Sequence, residues 1–366
     1  MNYLETLKYH YKPKKGWLND PNGLVYFAGY YHVFYQHCPD YETFGHQPMY
    51  WGHARTRDFL HWEELPVALC PDTPYDCEGC WSGTAIVKDD KLYLFYASIH
   101  TPEGADRRNE AVSVAWSEDG IHFEKYAGNP VIAHYPADGG PDFRDPAIAC
   151  IDGKYYIVMA TGNPETETAR LLLYESENLF DWKYNGIMRA WEHSIFAECP
   201  SFMPAGDKFL LTASVCKQDS HYFSVMYGGF ENGKFTLETE GDVDKGPDQY
   251  AGQVFLDPKG RTILITWIPG WPYDGYAQKD VGCMSVPREL RLKDGKVYGY
   301  PVEEVQHLLM DSDPAVQRTG NGFIIERTGR DPLVYTGKVT DLKILRDAFI
   351  LEVFVNGGEE IYSVLL

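Results

Sequence analysis

Short apolar and aromatic segments recur along the chain, each of them directly after a turn rich in glycine or aspartate. This alternation is typical of antiparallel hairpins, in which aromatic and β-branched residues favour strands. The turns stand at Gly29, Asp90, Gly153, Gly206 and Gly260, so neighbouring units are 53 to 63 residues apart. The segments that follow them are 29–35, 90–96, 153–159, 206–211 and 260–265. Five units of similar length predict five structural modules.

A second series of aromatic residues beside turns keeps the same period. Its members are Trp62, Phe123, Trp182 and Phe235, and a similar turn at 294–297 supplies a fifth copy. Two hairpins per unit give four strands per unit, and five such units closed radially make an all-β, five-bladed β-propeller. The alternative is a two-sheet sandwich in which the turns are spaced by chance.

Carboxylates occupy one register in three of the five units. Counting back eight or nine residues from each hairpin turn reaches the strand that would line the central channel of a propeller. The residues at this register are Asp20, Ser82, Asp145, Glu198 and Gly252. Because equal register around an axis places residues at one end of the channel, we expect the three carboxylates to face each other there.

Converging carboxylates cost free energy, so the cluster is a candidate functional site. The alternative is that each carboxylate caps a turn or pairs with a basic residue. A calcium or zinc site would need further ligands close in sequence, so we expect no metal and no cofactor. Retaining glycoside hydrolysis fits better, since one carboxylate attacks the anomeric carbon while another protonates the leaving oxygen. Aromatic rings beside these segments could stack on a sugar or belong to the core, namely Trp17, Trp51, Trp81 and Tyr250.

Composition narrows the range of partners and compartments. The 33 Lys and Arg residues against 53 Asp and Glu residues give a net charge of −20, which disfavours nucleic acid and anionic membranes as partners. No stretch approaches the roughly 18 apolar residues of a membrane helix, and residues 1–5 carry no apolar leader, so we expect a soluble, cytoplasmic protein. Eight scattered cysteines, including a lone Cys77-x-x-Cys80 pair, favour free thiols over a disulfide framework.

The three acidic residues lie in the segments 17–23 (W-L-N-D-P-N-G), 143–146 (F-R-D-P) and 198–200 (E-C-P). These segments resemble motifs of glycoside hydrolase family 32, the β-fructofuranosidase family that includes invertases and sucrose-6-phosphate hydrolases. Further similar segments are 34–36, 50–54, 58–62, 81–85, 250–253 and 287–290. The resemblance covers essentially the whole chain.

The resemblance implies a five-bladed propeller over residues 1–300, followed by a β-sandwich. It also implies that Asp20 is the nucleophile, that Glu198 is the general acid and then base, and that Asp145 stabilises the transition state. Glu198 would have to hold a proton near neutral pH, and two neighbouring carboxylates would favour that form. The residues that we expect to bind substrate are Asn19, Gln36, Phe44, Trp51, Ser82, Arg144 and Tyr250.

The activity that the resemblance implies is the release of terminal β-D-fructofuranosyl residues from sucrose, sucrose 6-phosphate or short fructo-oligosaccharides, with retention of configuration. A fructosyltransferase with the same covalent intermediate, an arabinan-type furanosidase and a catalytically silent sugar-binding propeller are the alternatives. Four basic residues could bind a substrate phosphate or simply lie solvated at the surface, namely Lys14, Lys15, Arg107 and Arg108.

The sequence departs from the family pattern at two places. Phe44-Gly45 stands where the family usually has Trp-Gly, so we expect an altered hydrophobic wall over the sugar. Only about 66 residues follow Tyr300, which predicts a shortened sandwich over 301–366 with an internal deletion. The short sheet would cover its apolar face either on the propeller or on another subunit, which makes a homo-oligomer one expectation.

Overall fold

The computed structural model describes residues 7–41, 45–268 and 282–366. In these ranges the regular secondary structure is β-strand, apart from a short 3-10 helix at Glu303–Leu308, which confirms the predicted all-β class. No helix in the described ranges is long and apolar enough to cross a membrane.

The first sixteen strands of the described chain form four antiparallel sheets of four strands each, in chain order. The first sheet contains β1 (Trp17–Phe27), β2 (Tyr30–Cys38), β3 (Tyr50–Thr56) and β4 (Trp62–Leu69). The second contains β5 (Gly79–Lys88), β6 (Lys91–His100), β7 (Asn109–Ser117) and β8 (Glu124–Lys125). The third contains β9 (Asp142–Ile151), β10 (Lys154–Asn163), β11 (Thr168–Ser176) and β12 (Lys183–Glu192). The fourth contains β13 (Phe196–Ala205), β14 (Lys208–Cys216), β15 (His221–Glu231) and β16 (Lys234–Asp242).

A fifth sheet follows the same antiparallel plan, with one short additional strand paired to its second strand. Its strands are β17 (Tyr250–Leu256), β18 (Thr262–Ile268), β19 (Cys283–Met284), β20 (Arg288–Lys293) and β21 (Lys296–Pro301). All five predicted hairpins join the first and second strands of a sheet, as the sequence pattern requires. The second aromatic series lies at the connections between the two outer strands of the first four sheets.

The five sheets close into a ring through their first strands. β1 contacts β5, β5 contacts β9, and the series continues through β13 to β17, which contacts β1 again. Apolar side chains fill the space between neighbouring sheets; Phe95, Phe143 and Ile157, for example, are fully buried together. Each such side chain contributes roughly 1.5–3 kcal/mol by leaving water, so packing between sheets is the main force that holds the ring together.

The pairing of every first strand is interrupted at the end that carries the predicted site. In β1 the register shifts between Leu18 and Pro21, so that Asn19 and Asp20 together oppose one residue of β2. The corresponding interruptions in the other four first strands lie at Ser82, Asp145, Cys199 and Ala251. Such β-bulges turn side chains out of the regular alternation of a strand, and here they lie at one level of the ring.

Two three-stranded sheets follow the ring in the described chain. One contains β22 (Val316–Thr319), β23 (Gly322–Ile325) and β24 (Leu333–Tyr335), and the other contains β25 (Leu342–Asp347), β26 (Ile350–Val355) and β27 (Glu360–Leu365). The sheet of β22, β23 and β24 is called the outer sheet below. Every residue of β26 is buried, because Phe354 packs with the apolar core of the ring while Val353 packs with Phe323 of the outer sheet. The apolar face that the sequence led us to expect is therefore covered within this chain.

A buried ionic cluster fixes these sheets to the ring. Arg288 of β20 donates to Asp244 at 2.5 Å and to Glu352 of β26 at 2.7 Å. His10 lies 2.9 Å from both Asp347 and Glu352, so the same carboxylate of β26 binds two cations. The N-terminal segment, the fifth sheet and the last sheet thus meet at one charged contact.

Candidate active site

A cavity of about 260 Å³ lies at the bulged ends of the first strands. All three predicted carboxylates line this cavity, which brings together residues that are up to 178 positions apart in the sequence. The described residues that line it are Trp17, Asn19, Asp20, Gln36, Gly45, His46, Gln47, Met49, Trp81, Ser82, Arg108, Arg144, Asp145 and Glu198.

Asp20 is held by two hydrogen bonds from neighbouring polar side chains. The hydroxyl of Ser82 donates to Oδ2 at 2.6 Å, and the amide of Asn19 donates to Oδ1 at 3.1 Å. Burial and the nearby Glu198 raise the pKa of Asp20, while these two donors act in the opposite direction. The donors therefore orient the carboxylate and stabilise its charged form.

Asp145 is the most deeply buried of the three carboxylates, with 3% of its surface exposed. Its Oδ2 accepts a hydrogen bond of 2.9 Å from the backbone N–H of Cys199. Burial, followed by the charge of Glu198, raises the pKa of Asp145 to about 8. The carboxylate cluster as a group therefore retains a proton at neutral pH.

The thiol of Cys199 bridges two of the carboxylates. Its sulfur lies 3.5 Å from Oδ2 of Asp20 and 3.6 Å from Oδ2 of Asp145. Burial, together with the charges of the carboxylates, raises the pKa of this thiol, so it remains an S–H donor. One sulfur therefore contacts carboxylates that come from the first and the third sheet.

Glu198 is fixed through both of its oxygens. Arg144 donates to Oε1 from Nε at 3.1 Å and from Nη2 at 2.9 Å. The hydroxyl of Tyr250 donates to Oε2 at 2.5 Å, and the sulfur of Cys216 lies 2.9 Å from the same hydroxyl. These contacts leave the Glu198 side chain with little freedom to rotate.

Glu110 of β7 is a buried carboxylate that sequence reasoning missed, because it closes an ordinary charged stretch. Nη1 of Arg144 lies 3.1 Å from Glu110 and 2.9 Å from Asp142. Although burial opposes its charge, Glu110, Glu198 and Asp142 raise the pKa of Arg144. Glu110 also accepts from Nε of Arg108 at 2.9 Å, so it links the two arginines of the cavity.

The predicted substrate-binding residues differ in whether they reach the cavity. Four of them line the cavity, namely Asn19, Gln36, Ser82 and Arg144. Tyr250 is buried behind Glu198 and does not reach the cavity surface. Phe44 lies outside the described residues.

The structure corrects the prediction that Trp51 binds substrate, because Trp51 does not line the cavity. Its side chain is fully buried, its indole Nε1 donates to the carbonyl of Trp81 at 2.9 Å, and its ring packs against Phe34 and Tyr96. It fills the core between the first two sheets because the alternation of β3 points it away from the cavity. The cavity wall is formed instead by Trp17 and Trp81.

Sequence reasoning also missed the segment 45–49, from which Gly45, His46, Gln47 and Met49 contribute to the cavity. Only the neighbouring Phe44-Gly45 pair indicated that this connection approaches the site. Within the described ranges, no group of three or more His, Cys, Asp or Glu side chains is arranged to hold a metal ion. All eight cysteines are free, as predicted; Cys77 is exposed and Cys80 is buried.

Comparison with known proteins identifies related sequences and folds. Residues 10–301 match the family model described as the glycosyl hydrolases family 32 N-terminal domain. A sucrose-6-phosphate hydrolase of Zymomonas mobilis is 35% identical over 329 residues, which covers 82% of this chain and 62% of the relative. A raffinose invertase of Escherichia coli is 35% identical over 354 residues, covering 91% of this chain and 72% of the relative.

Solved structures of a Bombyx mori GH32 β-fructofuranosidase are similar to the whole fold. One superimposes with a TM-score of 0.85 at 27% identity, covering 98% of this chain and 88% of the other. A mutant of the same enzyme in complex with sucrose gives a TM-score of 0.83. The chain thus spans most of this structural relative but less than two thirds of the length of the Zymomonas relative.

Proposed function

Because the chain belongs to glycoside hydrolase family 32, we propose that it is a retaining β-fructofuranosidase that hydrolyses sucrose or sucrose 6-phosphate. The observation that carries the proposal is the convergence of Asp20, Asp145 and Glu198 on one cavity from three different sheets. Relatives named for the hydrolysis of sucrose 6-phosphate and raffinose, and a relative solved with sucrose, support this class of substrate.

In the proposed reaction, Asp20 attacks the anomeric C2 of the fructosyl unit and forms a covalent fructosyl-enzyme. The bond from C2 to the glycosidic oxygen breaks as the new C2–O bond forms. Ser82 and Asn19 support this role because they hold the carboxylate in a single orientation. Water then releases fructose from Asp20 with a second inversion, so the overall configuration is retained.

Glu198 is proposed to donate its proton to the departing glycosidic oxygen and then to remove a proton from the attacking water. Arg144 and Tyr250 support this role by fixing the two oxygens of Glu198. Asp145 is proposed to bind fructose hydroxyls and to stabilise positive charge on the oxocarbenium-like transition state. Its burial strengthens that electrostatic effect, since little water screens it.

The remaining cavity residues are proposed to position the fructosyl unit. Asn19, Gln36 and Ser82 offer polar atoms to its hydroxyls, while Trp17 and Trp81 offer ring surfaces to its C–H faces. Contact of Phe44 with the sugar stays a prediction.

We further propose that the ring of sheets is a five-bladed β-propeller formed by residues 1–300 and that residues 301–366 form a shortened β-sandwich. The family match over 10–301 and the contact of β17 with β1 support the first part. The burial of β26 between the ring and the outer sheet supports the second. A cytoplasmic location and a homo-oligomer stay predictions.

The test is the Asp20→Ala variant, assayed for release of fructose from sucrose and sucrose 6-phosphate. We expect turnover to fall below a few per cent of that of the parent protein, with an unchanged circular dichroism spectrum. Asp207→Ala removes an exposed carboxylate from the turn between β13 and β14 and serves as the matched control. Substantial residual turnover in Asp20→Ala would remove Asp20 from the nucleophile role. Product analysis at high sucrose concentration separates hydrolysis from fructosyl transfer.

A further inference from the structure

The residues that line the cavity differ in exposure and in charge. The three carboxylates are buried or half-buried and define its inner part, where the fructosyl unit would sit in the proposed function. Among the described residues that line the cavity, the exposed ones are Gly45, Gln47 and Arg108. Arg108 is therefore the charged side chain among these exposed residues, which are called the rim below. Because the leaving sugar must extend from the buried carboxylates toward these exposed residues, Arg108 lies on its path.

The guanidinium of Arg108 is held in place by two contacts. Its carbon Cζ lies 4.3 Å from the ring centroid of Trp81, and its Nε donates to Glu110 at 2.9 Å. Trp81 is adjacent to Ser82, which holds the nucleophile candidate Asp20. The position of the cation is thus fixed relative to the reacting end of the cavity, and much of the rotamer entropy of a long side chain is already lost.

The donors of Arg108 differ in availability from those of Arg144. Arg144 is largely buried, and its Nη1, Nη2 and Nε all bind carboxylates of Glu110, Asp142 or Glu198. Arg108 uses Nε, while among the contacts of the described residues its Nη1 and Nη2 have no hydrogen-bond partner. An exposed pair of Nη donors on a fixed guanidinium matches two oxygens of a phosphate in a bidentate arrangement.

We propose that Arg108 is a specificity-determining residue that recognises a phosphate ester on the leaving sugar. This inference rests on the proposed function, because it assigns the leaving group of that reaction to the rim. Of the four basic residues singled out in the sequence, Arg108 is the one that lines the cavity. Lys15 pairs with Asp40 at 3.9 Å instead, and Lys14 and Arg107 are exposed and do not line the cavity.

The experiment compares kcat/KM for sucrose 6-phosphate and for sucrose in the parent protein, Arg108→Gln, Arg108→Lys and Arg107→Gln. We expect Arg108→Gln to lower the ratio of the two values about tenfold, because the loss falls on the phosphorylated substrate. Arg108→Lys keeps the positive charge but loses the paired Nη donors of the guanidinium. Its ratio should therefore lie between that of the parent protein and that of Arg108→Gln. Arg107→Gln makes the same change of charge one residue away, and its ratio should match that of the parent.

Product inhibition gives a second measurement that does not depend on turnover of the phosphorylated substrate. Glucose 6-phosphate should inhibit sucrose hydrolysis more strongly than glucose does, and Arg108→Gln should remove most of that difference. High ionic strength should weaken the preference in the parent protein, because the rim is exposed to solvent.

Two outcomes would overturn the inference while leaving the proposed function intact. In the first, Arg108→Gln lowers kcat/KM for both substrates by the same factor, which would assign Arg108 to neutral sugar binding or to the support of Glu110. In the second, Arg107→Gln changes the ratio as much as Arg108→Gln, which would indicate a diffuse surface potential. Failure of the parent protein to release fructose from either substrate would instead contradict the proposed function.

Discussion

At the scale of single residues, the hydroxyl of Tyr250 illustrates how a side chain outside the cavity can act on the chemistry within it. Tyr250 is 1% exposed, and its hydroxyl lies between Oε2 of Glu198 and the sulfur of Cys216. Burial, together with these acidic neighbours, raises the pKa of Tyr250, so it remains a donor throughout the working pH range. Its role in the proposed reaction is therefore to position Glu198.

We expect Tyr250→Phe to lower kcat for sucrose at least about tenfold, since a hydrogen bond to a charged group typically contributes about 1.5–3 kcal/mol. β-Fructofuranosyl fluoride needs little protonation of its leaving group, and kcat/KM reports only the first step, so kcat/KM for the fluoride should fall much less than kcat/KM for sucrose. Tyr227→Phe removes another buried tyrosine hydroxyl, which binds Thr262 away from the cavity, and is the matched control. Equal losses on the two substrates would argue against a role for Tyr250 in positioning the acid.

The sequence located the three carboxylates and also the side chains that hold Asp20 and Glu198, although as substrate-binding residues, but it did not locate Glu110. Asp20, Asp145 and Glu198 stood out because a repeat in the chain gave them a common register. Glu110 belongs to no such repeat, and its contact with Arg144 arises only when the second and third sheets pack together. The orientation of Trp51 likewise depends on the packing of β3 against the second sheet, which a motif in the sequence does not reveal.

At the scale of elements, the β-bulges explain why the first strands bring their acidic residues together. Regular alternation would point neighbouring side chains to opposite faces of each sheet. Asp145 and Cys199 instead adopt positive φ angles of 56° and 48° at their bulges, and a proline follows each of them. Proline has no N–H to offer a ladder, so it suits a position at which pairing is already interrupted. The hairpin periodicity predicted the strands, whereas the bulges depend on local backbone geometry and were not predicted.

The second and third strands of the first sheet contain a buried histidine pair. Nδ1 of His32 lies 2.9 Å from Nε2 of His53, and both rings are at most 1% exposed. Burial, and then the charge of Arg55, lowers the pKa of His32 to about 4; burial and His32 itself lower the pKa of His53. The folded protein therefore keeps both rings neutral under conditions in which an unfolded chain would protonate them.

This pair predicts a loss of stability in mild acid. Below the unfolded pKa of about 6.5, the unfolded chain binds more protons than the folded one, so stability falls until the pH reaches the folded pKa. For His32 the expected loss between pH 7 and pH 5 is about 2 kcal/mol, measured as the free energy of unfolding in urea. His32→Asn should reduce this acid dependence, whereas His61→Asn, at an exposed histidine, should leave it unchanged. The same acid dependence in His32→Asn and in the parent protein would contradict the prediction.

At the scale of the whole molecule, the last two sheets are attached to the ring by charge as well as by apolar packing. Arg288, Asp244 and Glu352 are fully buried, and they join the fifth sheet to β26. Removal of one member of such a cluster leaves an uncompensated buried charge, which typically costs about 3–5 kcal/mol. The segment 287–290 was selected from the sequence as part of a family resemblance, but its partners lie 44 to 75 residues away and could not be inferred from it.

His10 makes this attachment sensitive to alkaline pH. Burial opposes its charge, but Asp347 and Glu352 outweigh that effect and raise the pKa of His10 to about 9. A raised folded pKa stabilises the protein fully below about pH 6.5, and the contribution is lost as the pH rises through 9. Between pH 7 and pH 9 the expected loss in the free energy of unfolding is about 2 kcal/mol.

The variant His10→Gln separates this effect from other groups that titrate in the same range. Glutamine carries no proton that can be lost, so the stability of the variant should be lower than that of the parent at pH 7 but should change less between pH 7 and pH 9. His122→Gln replaces an exposed histidine that also pairs with a carboxylate, and it should follow the parent protein. An equal loss in His10→Gln and in the parent would mean that His10 is not charged in the folded protein. The attachment of the last sheets would then depend on Arg288 and apolar packing alone.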